Sequence, residues 1–247
     1  MAVELTWWGH STVSVVTGGV PVLTDPLLTP RVAHLTRRRG EAPPALTPDV
    51  VLVSHLHHDH LHLPSLRRLP AGTRVVVPVG AAGLLRSLPL DVHEVAPDDV
   101  VGLSANTSVR AVRAMHDGRR HPGSRWWAPA LGYVVDGPQT TWFAGDTGAA
   151  DMLGADVGPV DLALVPVGGW GPVSRRAVDG QHLGPVEAAA VVEKVQASCA
   201  VPIHYGTLWP QGLRADSHPG FASPGDVFGD TCPVARVLRV GEALVHE

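Results

Sequence analysis

The segment 54–61 constrains this chain more than any other stretch. It reads Ser-His-Leu-His-His-Asp-His-Leu and therefore places four histidines and one aspartate within six consecutive residues. It follows the run Val50 to Val53, whose apolar, β-branched side chains are typical of a buried strand. Side chains of a loop that leaves a strand can converge on one point, and imidazole with carboxylate suits Zn²⁺ and similar ions. We therefore predict a metal site at the end of this strand.

The spacing inside the segment indicates two groups of ligands. His55 and His57 are two residues apart, so they can point the same way as on one face of a strand. Asp59 and His60 come after the turn and can face a second ion nearby. A solvated histidine-rich loop is the alternative, but the core strand before the segment and partner residues downstream argue against it.

Three further candidate ligands each come at the end of a predicted strand. His116 follows an alternating run, Asp146 lies in Gly-Asp-Thr-Gly, and His204 lies in Pro-Ile-His-Tyr-Gly. A lone histidine after a strand is more often structural than metal-binding. The order of all these residues along the chain is what favours a common site.

This combined pattern closely resembles the metallo-β-lactamase superfamily, whose signature is His-x-His-x-Asp-His, and the match covers about residues 5–210. The resemblance implies an α/β (α+β) fold, a four-layer αββα sandwich of two mixed β-sheets flanked by helices. The metal site would lie at one edge of the sandwich. Residues 1–247 are expected to form a single domain, because no boundary is visible in the sequence.

The resemblance also implies which residues hold which ion. One divalent ion would be held by His55, His57 and His116. The other would be held by Asp59, His60 and His204, with Asp146 bridging both. Zn²⁺ is the expected metal, with Mn²⁺ or iron as alternatives. The two ions would share a metal-bound hydroxide that attacks the substrate, and we count Asp59 among the catalytic residues.

Several motifs resemble the branch that contains N-acyl phosphatidylethanolamine phospholipase D, with ascorbate-phosphate lactonases as more distant relatives. They are Trp8 to Thr12, Thr24 to Pro26, Phe143 to Gly148 and Gln181 to Ala188. His182, in the last motif, is similar to a histidine near the substrate in that branch, so we predict a catalytic role. It would hydrogen-bond a substrate oxygen or protonate a leaving group, and a helix cap is the alternative. His10 and Asp25 either orient metal ligands or serve ordinary turns.

The expected function is a binuclear metal-dependent hydrolase that cleaves a phosphodiester, a lactone or a related ester. Its substrate would be a small or lipid-like molecule. A redox or otherwise non-hydrolytic di-metal protein of the same fold, or a nuclease, is the alternative. Net charge is −4 and the isoelectric point is about 6.4, so nucleic acid is an unlikely partner.

The remaining expectations concern location and the parts of the chain outside the ligands. No stretch is long and apolar enough to span a membrane, and no signal peptide is visible, so we expect a cytoplasmic protein of open oligomeric state. Arg37 to Arg39 are expected in a solvated loop. Arg119, Arg120 and Arg125 could meet an anionic group, and four tryptophans could wall a pocket: Trp126, Trp127, Trp170 and Trp209.

Three expectations concern secondary structure. Strand-rich stretches on both sides of residue 125 suggest that each half of the chain builds one sheet. Residues 185–197 are predicted to form a helix that buries one apolar face, made of Val186, Ala189, Ala190, Val192 and Val195. The closing strand is predicted near residues 237–240.

Overall fold

The computed structural model describes residues 2–148, 156–168, 182–215 and 218–247. The strands are β1 Val3–Trp7, β2 Val13–Thr17, β3 Val20–Thr24, β4 Arg31–Val32, β5 Leu35–Arg37, β6 Val50–Leu52, β7 Arg74–Pro78, β8 Asp91–Val95, β9 Val100–Ser104, β10 Thr107–Arg113, β11 Leu131–Asp136, β12 Thr141–Phe143, β13 Leu162–Pro166, β14 Cys199–Ile203, β15 Leu208–Pro210 and β16 Ala243–His246. The helices are α1 Leu63–Leu66, α2 Ala82–Leu85, α3 Pro185–Lys194, α4 Pro219–Ala222 and α5 Pro224–Thr231.

Two mixed sheets form the centre of the fold. The first has the strand order β16-β1-β2-β3-β6-β7-β8 and the second has the order β14-β13-β12-β11-β10-β9. A small third sheet has the order β15-β5-β4. The predicted mixed character is confirmed, because each large sheet contains both parallel and antiparallel pairs.

The layers follow from which side chains share a core. Alternate residues of β6 point to opposite faces of the first sheet: Val50 and Leu52 pack between the sheets, whereas Val51 packs on the outer face. Leu66 of α1 and Leu85 of α2 cover that outer face. Helices α3 and α5 cover the second sheet through contacts with β13 and β14. The four-layer αββα sandwich is therefore confirmed.

Strand direction brings the candidate ligands to one edge. In the first sheet, β1, β3 and β6 run the same way, since β2 is antiparallel to its neighbours β1 and β3, and β6 is parallel to β3. In the second sheet, β10 and β12 run the same way because β11 is antiparallel to both. Strands β13 and β14 share this direction, since β13 is parallel to both β12 and β14. The strands that precede the candidate ligands in each sheet therefore end at a common edge. The backbone of Leu131 hydrogen-bonds the Ser54 carbonyl oxygen across the two sheets, at a distance of 2.9 Å.

The division of the chain between the sheets differs from the prediction. The first sheet ends at β8, the second begins with β9, and the chain returns to the first sheet as β16. The expected boundary near residue 125 is therefore wrong. The predicted closing strand is also wrong, because the strand lies at Ala243–His246 and pairs with β1. Strand β9 was not predicted, since its burial is only partial and its apolar signal is correspondingly weak.

The buried face of helix α3 overlaps only partly with the predicted one. Its inward side chains are Ala188, Val191, Val192 and Val195, which repeat at helical spacing. Val186 is 58% exposed, so only part of the predicted face is correct. Alanine and valine occur on both sides of this helix, and composition alone does not fix its rotation.

Residues 26–48 include β4 and β5 rather than only loop. Arg37 ends β5 and donates from its Nη1 atom to the Trp8 carbonyl oxygen at 2.8 Å, so the solvated-loop prediction is wrong for this residue.

None of the helices in the described ranges combines the length and apolar character that crossing a bilayer requires.

One hydrogen bond between the sheets gives a direct test of this packing. The buried Tyr133 hydroxyl donates to the Val53 carbonyl oxygen at 2.8 Å, one residue before the histidine-rich segment begins. Tyr133→Phe keeps the ring and leaves that carbonyl unpaired, so we expect about 1–3 kcal/mol of lost unfolding free energy. Urea unfolding would show a lower midpoint at an unchanged slope. An unchanged midpoint would contradict the contact.

Candidate metal centre

The first group of predicted ligands converges at the end of β6 and β10. The Nδ1 atom of His57 lies 2.9 Å from His55 Nε2 and 3.2 Å from His116 Nε2. The three ligand nitrogens lie within 4.8 Å of one another. A hydrogen bond between two imidazoles needs one donor and one acceptor, so three nitrogens pointing together are not all satisfied by protons. A single cation would accept all three lone pairs, and the residues therefore fit a metal ion.

The second group lies beside the first. The Nε2 atoms of His60 and His204 are 3.2 Å apart. An oxygen of Asp59 lies 3.6 Å from the first nitrogen and 3.8 Å from the second. This mixture of two imidazoles and a carboxylate is again a set suited to a first-row divalent ion.

Asp146 connects the two groups. Its Oδ2 atom lies 3.2 Å from His60 Nε2 and 3.1 Å from His204 Nε2. One of its carboxylate oxygens also lies within 4.8 Å of ligand nitrogens of His116 and His182. Its Oδ1 atom is buried and has no hydrogen-bond partner in the part of the chain that the structure describes. A buried carboxylate oxygen without a donor is costly, and a cation would remove that cost.

The electrostatics of the centre suit cation binding. Burial, followed by the nearby His116, lowers the pKa of His57 to about 4, so its ring is neutral at pH 7 and keeps a free lone pair. Burial alone would raise the pKa of Asp146, but His204 and His60 outweigh it and hold that pKa well below its usual value. Burial alone would lower the pKa of His60 and His204, but nearby carboxylates, Asp146 first among them, outweigh it and raise the pKa of both rings, so a cation at the second group would displace ring protons.

Asp25 and Ser54 fix the orientation of two of these histidines. The fully buried Asp25 carboxylate accepts hydrogen bonds from the Ser54 backbone at 2.7 Å, from the Ser54 hydroxyl at 2.6 Å and from His60 Nδ1 at 2.5 Å. The Ser54 oxygen in turn lies 2.9 Å from His55 Nδ1. Once Nδ1 carries the proton, Nε2 of each ring is left as the ligand atom. Sequence reasoning singled out Asp25 but gave Ser54 no role, since a serine after a strand has no distinctive pattern.

His10 contacts the second group directly. Its Nε2 atom lies 3.0 Å from Asp59 Oδ2, and its backbone is tied to Thr207 and His204 by hydrogen bonds of 2.8 and 2.9 Å. Its backbone φ is 53°, a left-handed conformation that is uncommon outside glycine. The contact with Asp59 favours the orienting role over the ordinary-turn reading.

Arg120 does not meet an anionic group within the described residues. Its buried guanidinium donates to the carbonyl oxygens of Leu56 at 2.6 Å and Leu61 at 2.9 Å. These two carbonyls lie on either side of His57, Asp59 and His60, so Arg120 clamps the loop that carries these candidate ligands. A third contact, of 3.1 Å, reaches His58 Nδ1. The sequence could not distinguish this buried arginine from its exposed neighbour Arg119.

The tryptophans have mixed environments. Trp209 is buried against Phe221, and Trp126 packs with the outer core of the first sheet, so both have structural roles. Trp127 is 56% exposed. Trp170 and Gln181 lie outside the described residues.

Comparison with known proteins identifies the family. The family model for the beta-lactamase superfamily domain matches residues 21–205, which is most of the chain. The chain therefore belongs to the metallo-β-lactamase superfamily, and the domain that it carries is that of a metal-dependent hydrolase.

Two curated relatives refine this placement. A metal-dependent hydrolase of Thermococcus onnurineus is 30% identical over 254 residues, which cover 98% of this chain and 99% of the relative. N-acyl-phosphatidylethanolamine-hydrolyzing phospholipase D 1 of Caenorhabditis elegans is 30% identical over 239 residues. That match covers 84% of this chain but only 64% of the phospholipase, so the chain spans less than two thirds of that relative. The predicted resemblance to this branch is confirmed.

A solved structure supports the fold. The metallo hydrolase Igni18 of Ignicoccus hospitalis superposes with a TM-score of 0.72 over 100% of this chain and 99% of that protein, at 20% sequence identity.

The Asp25 contacts predict how a substitution that keeps the shape of the side chain but removes its charge acts. Asp25→Asn replaces an acceptor oxygen by an amide donor facing Ser54 and His60, so we expect metal affinity to fall by about 10- to 100-fold. Competition with a chromophoric chelator measures this change. The exposed Asp49→Asn is the matched control and should bind metal like the unaltered protein. Equal affinity in both variants would show that Asp25 does not orient the ligands.

Proposed function

We propose that this protein is a binuclear hydrolase that holds two divalent ions, most readily Zn²⁺, and cleaves a phosphodiester, lactone or related ester. The observation that carries this proposal is the position of Asp146, which lies 3.1–3.2 Å from the histidines of the second group and within 4.8 Å of His116 in the first. A structural zinc site closes its four positions with protein ligands. Here the fourth protein ligand of each ion would be the shared carboxylate of Asp146, and water or substrate would take the fifth position to which a catalytic Zn²⁺ can expand.

The proposed ligand roles follow the two groups. One ion would be bound by His55, His57 and His116. The other would be bound by Asp59, His60 and His204, with Asp146 contacting both ions. When bound, such ions act as Lewis acids and make water nucleophilic near neutral pH. Asp59 is also held by His10, which keeps its carboxylate turned towards the second group.

His182 is the proposed catalytic residue outside the ligand set. Its Nδ1 atom lies 3.8 Å from Asp146 Oδ2, and its ring centroid lies 4.7 Å from that of His116. Its side chain keeps 22% of its surface exposed, whereas that of Asp146 keeps 2%, so His182 is open to a bound molecule. It does not cap α3, because the N-cap position of that helix is Gly184 and carries no side-chain hydrogen bond. These contacts support a role in binding a substrate oxygen or moving a proton at its ring nitrogen.

The proposed substrate is small or lipid-like. The similarity to a phospholipase D that hydrolyses N-acyl-phosphatidylethanolamine supports a phosphodiester with an apolar part. The acidic balance of the chain disfavours a nuclease. Metal identity separates hydrolysis from redox chemistry: bound zinc or manganese supports our proposal, while iron with a visible absorption band supports the redox alternative.

Two adjacent histidines provide a matched pair for testing the ligand set. His57→Ala removes a proposed ligand and should abolish hydrolysis of bis(4-nitrophenyl) phosphate together with about half of the bound zinc. His58→Ala removes a contact with Arg120 and a ring stack on His121, neither of which involves a proposed ligand, and should keep both activity and zinc. Turnover and elemental analysis on the same preparations measure these effects. Equal losses in the two variants would contradict the assignment.

The role of His182 can be separated from that of the ligands. His182→Ala should retain its metals and melting temperature while losing turnover by about 10²- to 10⁴-fold, as expected for an acid–base residue. The exposed His121→Ala serves as the control and should match the unaltered protein. Unchanged turnover in His182→Ala would remove this residue from the active site.

A further inference from the structure

One cavity of the protein is lined by none of the proposed metal ligands. It has a volume of about 510 Å³ and lies between the loops after β5, β14 and α5. Trp7, Leu238 and Val240 form its apolar part. This volume falls within the range of about 300–1,000 Å³ that small-molecule sites occupy.

The side chain of Tyr205 lines this cavity with its hydroxyl group. Tyr205 is 6% exposed, and its ring stacks on Trp7 with centroids 5.1 Å apart. Its hydroxyl makes no hydrogen bond to any residue in the described ranges. A phenolic hydroxyl can donate a hydrogen bond, so this group is available to a ligand in the cavity.

Two guanidinium groups line the same cavity. The guanidinium of Arg39 lies 5.0 Å from the centre of the Phe221 ring. Arg239 stands between Leu238 and Val240, two apolar residues of the cavity lining. Neither side chain forms a hydrogen bond or ion pair with another described residue. Asp226 is the acidic residue of the lining, so the cavity carries a net positive charge. Arginine in this arrangement suits a planar carboxylate or a tetrahedral oxyanion.

Glycines in the loops around the cavity allow the backbone to pass close to its lining residues. A side chain at Gly40 would overlap Val240, and a side chain at Gly225 would overlap the Tyr205 ring. Gly40 and Gly206 also have positive φ angles of 67° and 58°. The glycines therefore allow the loops to approach closely enough to bring Arg39 and Tyr205 to the same space.

We infer that this cavity is a second ligand site, which binds a small organic anion with an apolar body. Arg39 and Arg239 would bind the carboxylate, sulfonate or phosphate group, and the Tyr205 hydroxyl would donate to it. Trp7, Leu238 and Val240 would contact the apolar part. This inference does not depend on the proposed hydrolysis, because the binding groups are separate from the ligand set.

Calorimetric titration of the metal-loaded protein tests this site. Benzenesulfonate and phenylphosphonate are the anionic probes, and benzyl alcohol is the neutral control. We expect saturable binding of both anions and none of the alcohol. Arg39→Met and Arg239→Met should each weaken binding about tenfold, and Tyr205→Phe should weaken it about three- to tenfold. Arg67→Met, at the exposed C-cap of α1, should change affinity less than twofold.

A variant of the metal centre distinguishes the two sites. His57→Ala should bind benzenesulfonate with unchanged affinity, because His57 does not line the cavity. Melting temperatures identify any variant that is misfolded, and Tyr205→Phe keeps the ring stacked on Trp7. Absence of saturable binding, or binding that persists in Arg39→Met and Arg239→Met but is lost in His57→Ala, would overturn the inference.

Discussion

The buried carboxylate of Asp25 is the interaction on which the metal centre depends. A fully buried charge is tolerated only where donors satisfy it, and here the donors are the backbone and hydroxyl of Ser54 and the Nδ1 atom of His60. Since the same hydroxyl contacts His55, one carboxylate orients a histidine in each ligand group. The position of Asp25 at the end of β3 is therefore a structural requirement for both halves of the site.

The arrangement of strands explains why residues far apart in the chain meet. Ligands from the first sheet follow β6, and ligands from the second follow β10, β12 and β14, all of which end at the same edge. The hydrogen bonds from Leu131 and Tyr133 to the backbone before His55 join the sheets at that edge. Arg120 then holds the ligand loop through its own carbonyl oxygens. The site is thus built on strand ends that packing already fixes.

A feature of the structure could be predicted from the sequence where its residues lie in one contiguous segment. The His-x-His-x-Asp-His segment and the strand before it are contiguous, so the site and the fold class followed from the sequence together with the family resemblance. The rotation of α3 and the position of β16 depend on which surfaces pack together, and weakly patterned residues do not reveal that. The Arg120 clamp and the Ser54 hydroxyl depend on distances between separate segments. Sequence reasoning therefore singled out the candidate ligands more readily than the residues that position them.

The most direct test of the account is the location of bound metal. Anomalous diffraction from crystals of the zinc-loaded protein, collected above and below the zinc edge, would identify each ion and its ligands. We predict two zinc peaks about 3.5–4 Å apart. His55, His57 and His116 should surround one peak, Asp59, His60 and His204 the other, and Asp146 should contact both. A single peak, or two peaks without Asp146 between them, would contradict a binuclear centre.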